Sequence, residues 1–235
     1  MRLRGRKGIL EALKLQPELV VLEAEPYKGR WKEFFGNDRP IHVELGMGKG
    51  IFISEMSARN PDINFIGVDR YDELVRRAGE KAKLLWQERH GEEPSNLALA
   101  RFNIEHLENM FADAEVECLY LNFSDPWPKN RHARRRLTHQ SFLDKYKSIL
   151  NDKGEIHLKT DSASLFEFSL NSFADDGLRM RNITFDLHRD GILPERVMTE
   201  YEAKFVGKGM PIYRCEVVIG QEALASHTDN KSINT

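Results

Sequence analysis

The side chains best suited to chemistry lie in one run, 120–136, which reads Y-L-N-F-S-D-P-W-P-K-N-R-H-A-R-R-R. An apolar stretch (Val116, Cys118, Leu119, Tyr120, Leu121) leads into Asn122, Phe123, Ser124 and Asp125, and Pro126-Trp127-Pro128 follows. Two prolines in three residues cannot continue a central strand, because each lacks the N–H that a ladder needs. A buried strand is therefore expected to stop at Asp125 and deliver a carboxylate, an amide and an indole to a rigid loop. The cations Lys129, Arg131, Arg134, Arg135 and Arg136 come next. A rigid polar loop joined to a cationic segment suits chemistry on a polyanion.

A second constellation lies upstream. Glu44-Leu45-Gly46-Met47-Gly48-Lys49-Gly50 follows a short alternating stretch, and Asp69 closes an apolar one nineteen residues after Gly50. In an open α/β sheet, ligands bind outside the carboxyl ends of the strands. Gly46 and Gly48 would let backbone approach such a ligand closely. Asp69 is placed to accept hydrogen bonds from ribose hydroxyls. A nicotinamide dinucleotide fits these features too, but the spacing is G-x-G-x-G rather than G-x-G-x-x-G. Glu44 would also repel a pyrophosphate, which needs the positive end of a helix. A carboxylate there favours an ammonium or sulfonium. S-adenosylmethionine has both charges, a ribose and no phosphate, and is the expected cofactor. Asn103, after the third apolar stretch, is a candidate for the adenine edge or simply a loop-capping side chain.

The elements that must position these residues follow from the hydrophobic pattern. Strands are expected at 41–45, 63–68, 97–101, 116–124 and 155–160, with helices over 51–59, 71–90 and 142–150 and another after Asp161. Thr138 is the expected cap of the helix at 142–150, and 151–154 reads as a turn. Two further strands, 178–187 and 212–219, have no clear helix between them. The pattern is α/β: a mostly parallel seven-stranded sheet, helices on both faces, and a late antiparallel hairpin. Residues 1–36 form an extension, with a mobile basic tip at 1–8 and an aromatic cluster of Trp31, Phe34 and Phe35. The main domain spans 37–219, and 220–235 reads as a polar, disordered tail.

Composition narrows the classes. A chain of 235 residues with 40% apolar and 31% charged residues can bury one sizeable core. No apolar run approaches the ~20 residues of a spanning helix, and no secretory segment is visible, so a cytoplasmic protein is expected. Net charge is only −2, so nucleic-acid binding would depend on local patches. Cys118 and Cys215 sit in separate apolar runs and read as buried thiols. The eight histidines form no ligand spacing, and no metal is expected.

Taken together, E-L-G-M-G-K-G (44–50), G-V-D (67–69), Y-L-N-F-S-D-P-W-P-K-N-R-H-A-R-R-R-L-T (120–138), H-L-K-T-D (157–161), L-F-E-F-S-L (165–170), T-E-Y-E-A-K-F (199–205) and G-x-P-I-Y-R (209–214) resemble the bacterial tRNA (guanine-N7)-methyltransferases. The resemblance covers about 41–217. It implies a Rossmann-like class I methyltransferase fold and methylation of N7 on the variable-loop guanosine of tRNA. It assigns Glu44, Gly46, Gly48, Asp69, Asn103 and Asp125 to the cofactor, with Asp125 also catalytic. Lys129, Asp161, Thr199, Glu200, Tyr201 and Glu202 would hold substrate, and Arg131, Arg134, Arg135 and Arg136 would touch RNA. Thr199–Glu202 rests on the resemblance alone. Asn103 stands where the family commonly has aspartate.

Guanine N7 has a lone pair and no proton, so methyl transfer needs no general base. Alignment and a fixed negative field suffice, and Asp125 is the candidate for that field. Asp161 and Glu202 would accept from N1–H and the exocyclic amine, while Lys129 would meet O6 or a phosphate. The other readings are a methyltransferase on another RNA acceptor, a catalytically silent RNA-binding relative, and a nicotinamide-dependent dehydrogenase. No obligate protein partner is evident, and a monomer or homodimer is expected.

Overall fold

In the computed structural model the described residues are 8–194 and 196–232. The basic tip expected at 1–8 lies, apart from Gly8, outside them. The chain divides into two compact units, Met1–Ala112 and Asp113–Thr235.

The first unit runs α1 (Ile9–Lys14), β1 (Val20–Val21), α2 (Trp31–Phe35), β2 (Ile41–Leu45), α3 (Ile51–Arg59), β3 (Asn64–Asp69), α4 (Asp72–His90) and β4 (Leu97–Arg101). Its strands are ordered β1-β4-β3-β2, and the pairings β1 with β4, β4 with β3 and β3 with β2 are parallel. Every residue of β3 is buried, as a strand covered on both faces requires. The N-terminal extension is part of this unit. Val20 and Val21 pair with Leu99 and Ala100, adding an edge strand that the sequence pattern did not suggest. Trp31 is 0% exposed and donates its indole N–H to the Met110 carbonyl at 3.0 Å, with Tyr27, Phe34, Phe35 and Phe111 around it. Helix α4 has acids in its first turn and Arg89 and His90 in its last, matching its dipole, and ends at Gly91 with a φ of 71°.

The second unit runs β5 (Val116–Asn122), a 3-10 turn (Asn130–Arg135), α5 (Gln140–Ile149), β6 (Leu150–Thr160), α6 (Ala163–Asp175), β7 (Arg179–Thr184), α7 (Glu200–Val206), β8 (Tyr213–Val218) and α8 (Gln221–Ser232). β5 and β6 are parallel, and β8 lies antiparallel between β6 and β7. The two late strands do pair antiparallel, but their connection contains α7 and is no tight hairpin. With β1 the strands among the described residues number eight, not seven.

Three local expectations change. The cap of α5 is His139, whose ring accepts from the Ser141 N–H, while Thr138 is buried and bonds the Ser169 hydroxyl at 2.8 Å. β6 begins at Leu150, and 151–154 form a bulge, since Val116 pairs with Leu150 and Cys118 with Glu155. A Cβ on Gly154 would lie 2.7 Å from that of Leu150, so the bulge needs glycine. Residues 221–232, expected to lack order, are helical in α8. Cys118 and Cys215 are both buried and free.

Candidate active site

In the first unit, β2 and β3 bring Glu44 and Asp69 to their carboxyl ends in parallel register, with Glu44 opposite Gly67. Both carboxylates are buried. The turn after β2 doubles back on β3, where Gly46 and Met47 donate to the Val68 carbonyl at 2.9 and 3.0 Å. Gly46 and Gly48 have φ of 79° and 56°, which side chains disfavour, and a Cβ on either would meet nothing within 4 Å. The turn therefore offers bare backbone on an open side. Gly50 serves packing instead, because a Cβ there would lie 2.5 Å from that of Ala78 on α4.

Asp69 ties this turn down. Its carboxylate accepts from the Gly48 N–H at 3.2 Å and the Tyr71 N–H at 3.1 Å. Burial raises its pKa, against the backbone N–H groups of Tyr71, Gly48 and Arg70 that favour the ionised form. A donor such as a ribose hydroxyl would relieve this. Asn103 is exposed and caps the turn after β4 by accepting from the Glu105 N–H at 3.3 Å, so its capping role is realised here.

In the second unit, β5 ends at Asn122, and the chain turns sharply at Phe123, whose φ is 51°. Trp127 also has a positive φ, 41°. Two non-glycine residues in this region within five positions mark a strained loop, and exposed Asp125 lies between them. Lys129, Arg131, Arg134 and Arg135 are exposed, with the Arg135 guanidinium 4.8 Å from the centre of the Trp127 ring. Arg136 departs from the expectation of RNA contact. It is 7% exposed, donates to the carbonyls of Pro126 and Trp127, and lies 4.3 Å over the Phe168 ring.

Glu202 departs as well. It is fully buried, and its carboxylate accepts from Lys159 Nζ at 3.1 Å, His188 Nε2 at 2.9 Å and the Thr199 N–H at 3.3 Å. The Glu202 N–H in turn donates to the Thr199 hydroxyl at 2.9 Å, completing a capping box at the start of α7. A saturated, buried carboxylate is not offered to a guanine edge in this conformation. Burial holds the Lys159 ammonium below its usual pKa, opposed by Glu202 and reinforced by Arg214 and Arg196. Glu200 and Tyr201 are exposed, and the Tyr201 ring lies nearly parallel to Phe123 and Phe205. Asp161 is half-buried and does not cap α6, because Ser162 does, accepting from the Leu165 N–H. The sequence pattern assigned no role to Lys159, His188 or Phe123. For Glu202 the T-x-x-E spacing was the available signal.

Residues 38–215 match the model of a family described as putative methyltransferase. A tRNA (guanine-N(7)-)-methyltransferase of Streptococcus equi subsp. zooepidemicus is 49% identical over 216 residues, 92% of this chain and 99% of the relative. Another, of Brevibacillus brevis, is 50% identical over 218 residues, covering 92% and 97%. The chain belongs to the tRNA (guanine-N7)-methyltransferase family.

Solved structures place the family's fold among methyltransferases. An antibiotic related methyltransferase superposes with a TM-score of 0.60 at 14% identity, covering 86% of this chain and 96% of that one. A 16S rRNA (adenine(1408)-N(1))-methyltransferase from Catenulisporales acidiphilia, solved with its cosubstrate SAM, gives 0.57 at 14% identity, covering 82% and 91%. These likenesses carry the Rossmann-like class I fold. For this family member, buried carboxylates beside a bare glycine turn fit a cationic, ribose-bearing cofactor. The second unit holds one further cluster among the described residues: donor atoms of Glu155, His157 and Glu216 fall within 4.8 Å of one another. The Arg181 guanidinium already bridges both carboxylates, at 2.7 and 2.8 Å.

Proposed function

We propose that this chain transfers a methyl group from S-adenosylmethionine to N7 of the variable-loop guanosine of tRNA. The observation that carries the reading is about 50% identity over 92% of the chain to tRNA (guanine-N7)-methyltransferases. Bound there, S-adenosylmethionine supplies an electrophilic methyl on a sulfonium. Glu44 contributes negative charge toward the cofactor's cationic groups. Asp69 accepts from the ribose, the backbone of Gly46 and Gly48 lines the cofactor, and Asn103 meets the adenine edge.

Asp125 is the catalytic carboxylate. It orients the reacting groups and supplies a fixed negative field as positive charge moves to the purine. Asp161 accepts from the guanine N1–H and amine, which adenine cannot offer in that arrangement. Lys129 donates to O6 or a phosphate, and Thr199, Glu200 and Tyr201 frame the substrate. Arg131, Arg134 and Arg135 hold the RNA backbone. A cytoplasmic site of action, as monomer or homodimer, goes with this reading. Among the described residues no helix is long and apolar enough to cross a membrane.

The test is to incubate the protein with tRNA and methyl-labelled cofactor, then map the product by nuclease digestion and mass spectrometry. One m7G in the variable loop is expected. Label on another base or another RNA would move the protein to the rival acceptor reading. No label at all would leave an RNA-binding relative.

A further inference from the structure

We propose that Arg136 is a positioning residue for the methyl transfer, fixing the backbone of Pro126 and Trp127 and through it the carboxylate of Asp125. This rests on the reading of Asp125 as the catalytic carboxylate. The loop after Asp125 is short of backbone donors. Pro126 and Pro128 have no N–H to donate. Trp127 sits at a φ of 41°, a conformation that persists only when its surroundings impose it.

Arg136 supplies that constraint from ten residues downstream. Its Nε donates to the Pro126 carbonyl at 3.1 Å and the Trp127 carbonyl at 3.3 Å, and a terminal nitrogen donates to the Trp127 carbonyl at 3.0 Å. The guanidinium carbon lies over the ring of Phe168, on α6, 4.3 Å from its centre. The 3-10 turn Asn130–Arg135 brings the arginine back toward the loop, and the Arg136 N–H closes it on the Ala133 carbonyl at 3.0 Å. Arg134 and Arg135 in the same run are exposed while Arg136 is buried, so neighbours of one residue type do different work. A lysine could keep the charge but could not address two carbonyls from a flat fork stacked on a ring.

The test compares full-length Arg136→Lys and Arg136→Gln with wild type. Three readouts are single-turnover m7G formation at saturating tRNA and cofactor, tRNA affinity across a salt series, and thermal midpoint. Both variants should lose about 100-fold in saturated rate, the scale of a misplacement near 1 Å. Their tRNA affinity and salt slope should match wild type. Added methylguanidinium should restore part of the Arg136→Gln rate. The proposal is overturned if Arg136→Lys keeps the wild-type rate, or if the salt slope falls as for a lost phosphate contact. It is equally overturned if the rate loss equals the unfolded fraction. A wild-type protein that forms no m7G, or an Asp125→Ala variant with wild-type rate, would instead remove the underlying reading.

Discussion

At Asp69 a buried carboxylate carries a desolvation cost that its backbone donors only partly offset. A carboxyl raised in the folded state favours folding most when protonated. That contribution is full below the ordinary carboxylate pKa and is lost as pH rises through the raised value. A ligand whose hydroxyls donate to the carboxylate favours the ionised form. Cofactor affinity should therefore rise with pH through the Asp69 titration and then level off. Calorimetry in buffers of different ionisation enthalpy, over a pH series rising from the ordinary carboxylate range, checks this, and Asp69→Asn should abolish the pH dependence. At Asp125, exposed between two strained residues, removal of the carboxylate should act on chemistry more than on binding. Asp125→Ala should cut the single-turnover rate about 100-fold with tRNA affinity nearly unchanged. A loss of affinity alone would contradict the catalytic role.

At the scale of elements, the face of the β5–β6–β8–β7 unit that carries Cys118, His157, Glu216 and Arg181 is a cross-strand charge array. Burial by itself lowers the His157 pKa, but Cys118 and the carboxylates of Glu155 and Glu216 outweigh it and raise it to about 10. A raised histidine contributes stability that is full below its unfolded pKa of about 6.5. That stability fades as pH rises through about 10. The urea midpoint should fall between pH 7 and 10 in wild type and much less in His157→Gln; parallel curves would exclude the mechanism. Helix α2 depends similarly on Trp31, which has no exposed surface and donates a buried hydrogen bond to the Met110 carbonyl. Trp31→Ala should cost about 3–5 kcal/mol in chemical denaturation. A cost under ~1 kcal/mol would make the extension the appendage that its sequence suggests.

For the whole molecule, a net charge of −2 provides no general attraction to RNA. The salt dependence of tRNA binding then falls to local cations. Replacing Arg134 and Arg135 together with alanine should reduce the slope of log affinity against log salt by about 1–2. An unchanged slope would place the RNA backbone elsewhere. The N-terminal extension contributes a strand, two helices and a buried tryptophan to its unit. A chain beginning at 37 should consequently lose that unit's cooperative melting transition.

Much was legible from sequence because it depends on local chemistry. Glycines at 46 and 48, an acid at the end of each of two buried runs, and prolines after Asp125 each restrict the backbone or the ligand by themselves. The strands and main helices follow from hydrophobic period in the same way. What tertiary structure alone decided is which like residues face water and which face protein. Arg136 and Arg135 are adjacent and chemically identical, yet one clamps two carbonyls over Phe168 and the other lies outside on Trp127. Glu202 and Glu200 differ in the same way, because the capping box and Lys159 draw only the first inward. Partners far apart in sequence set each of these outcomes, and no local period records them. Two valines at 20 and 21 likewise become a strand only because β4 offers them a paired edge.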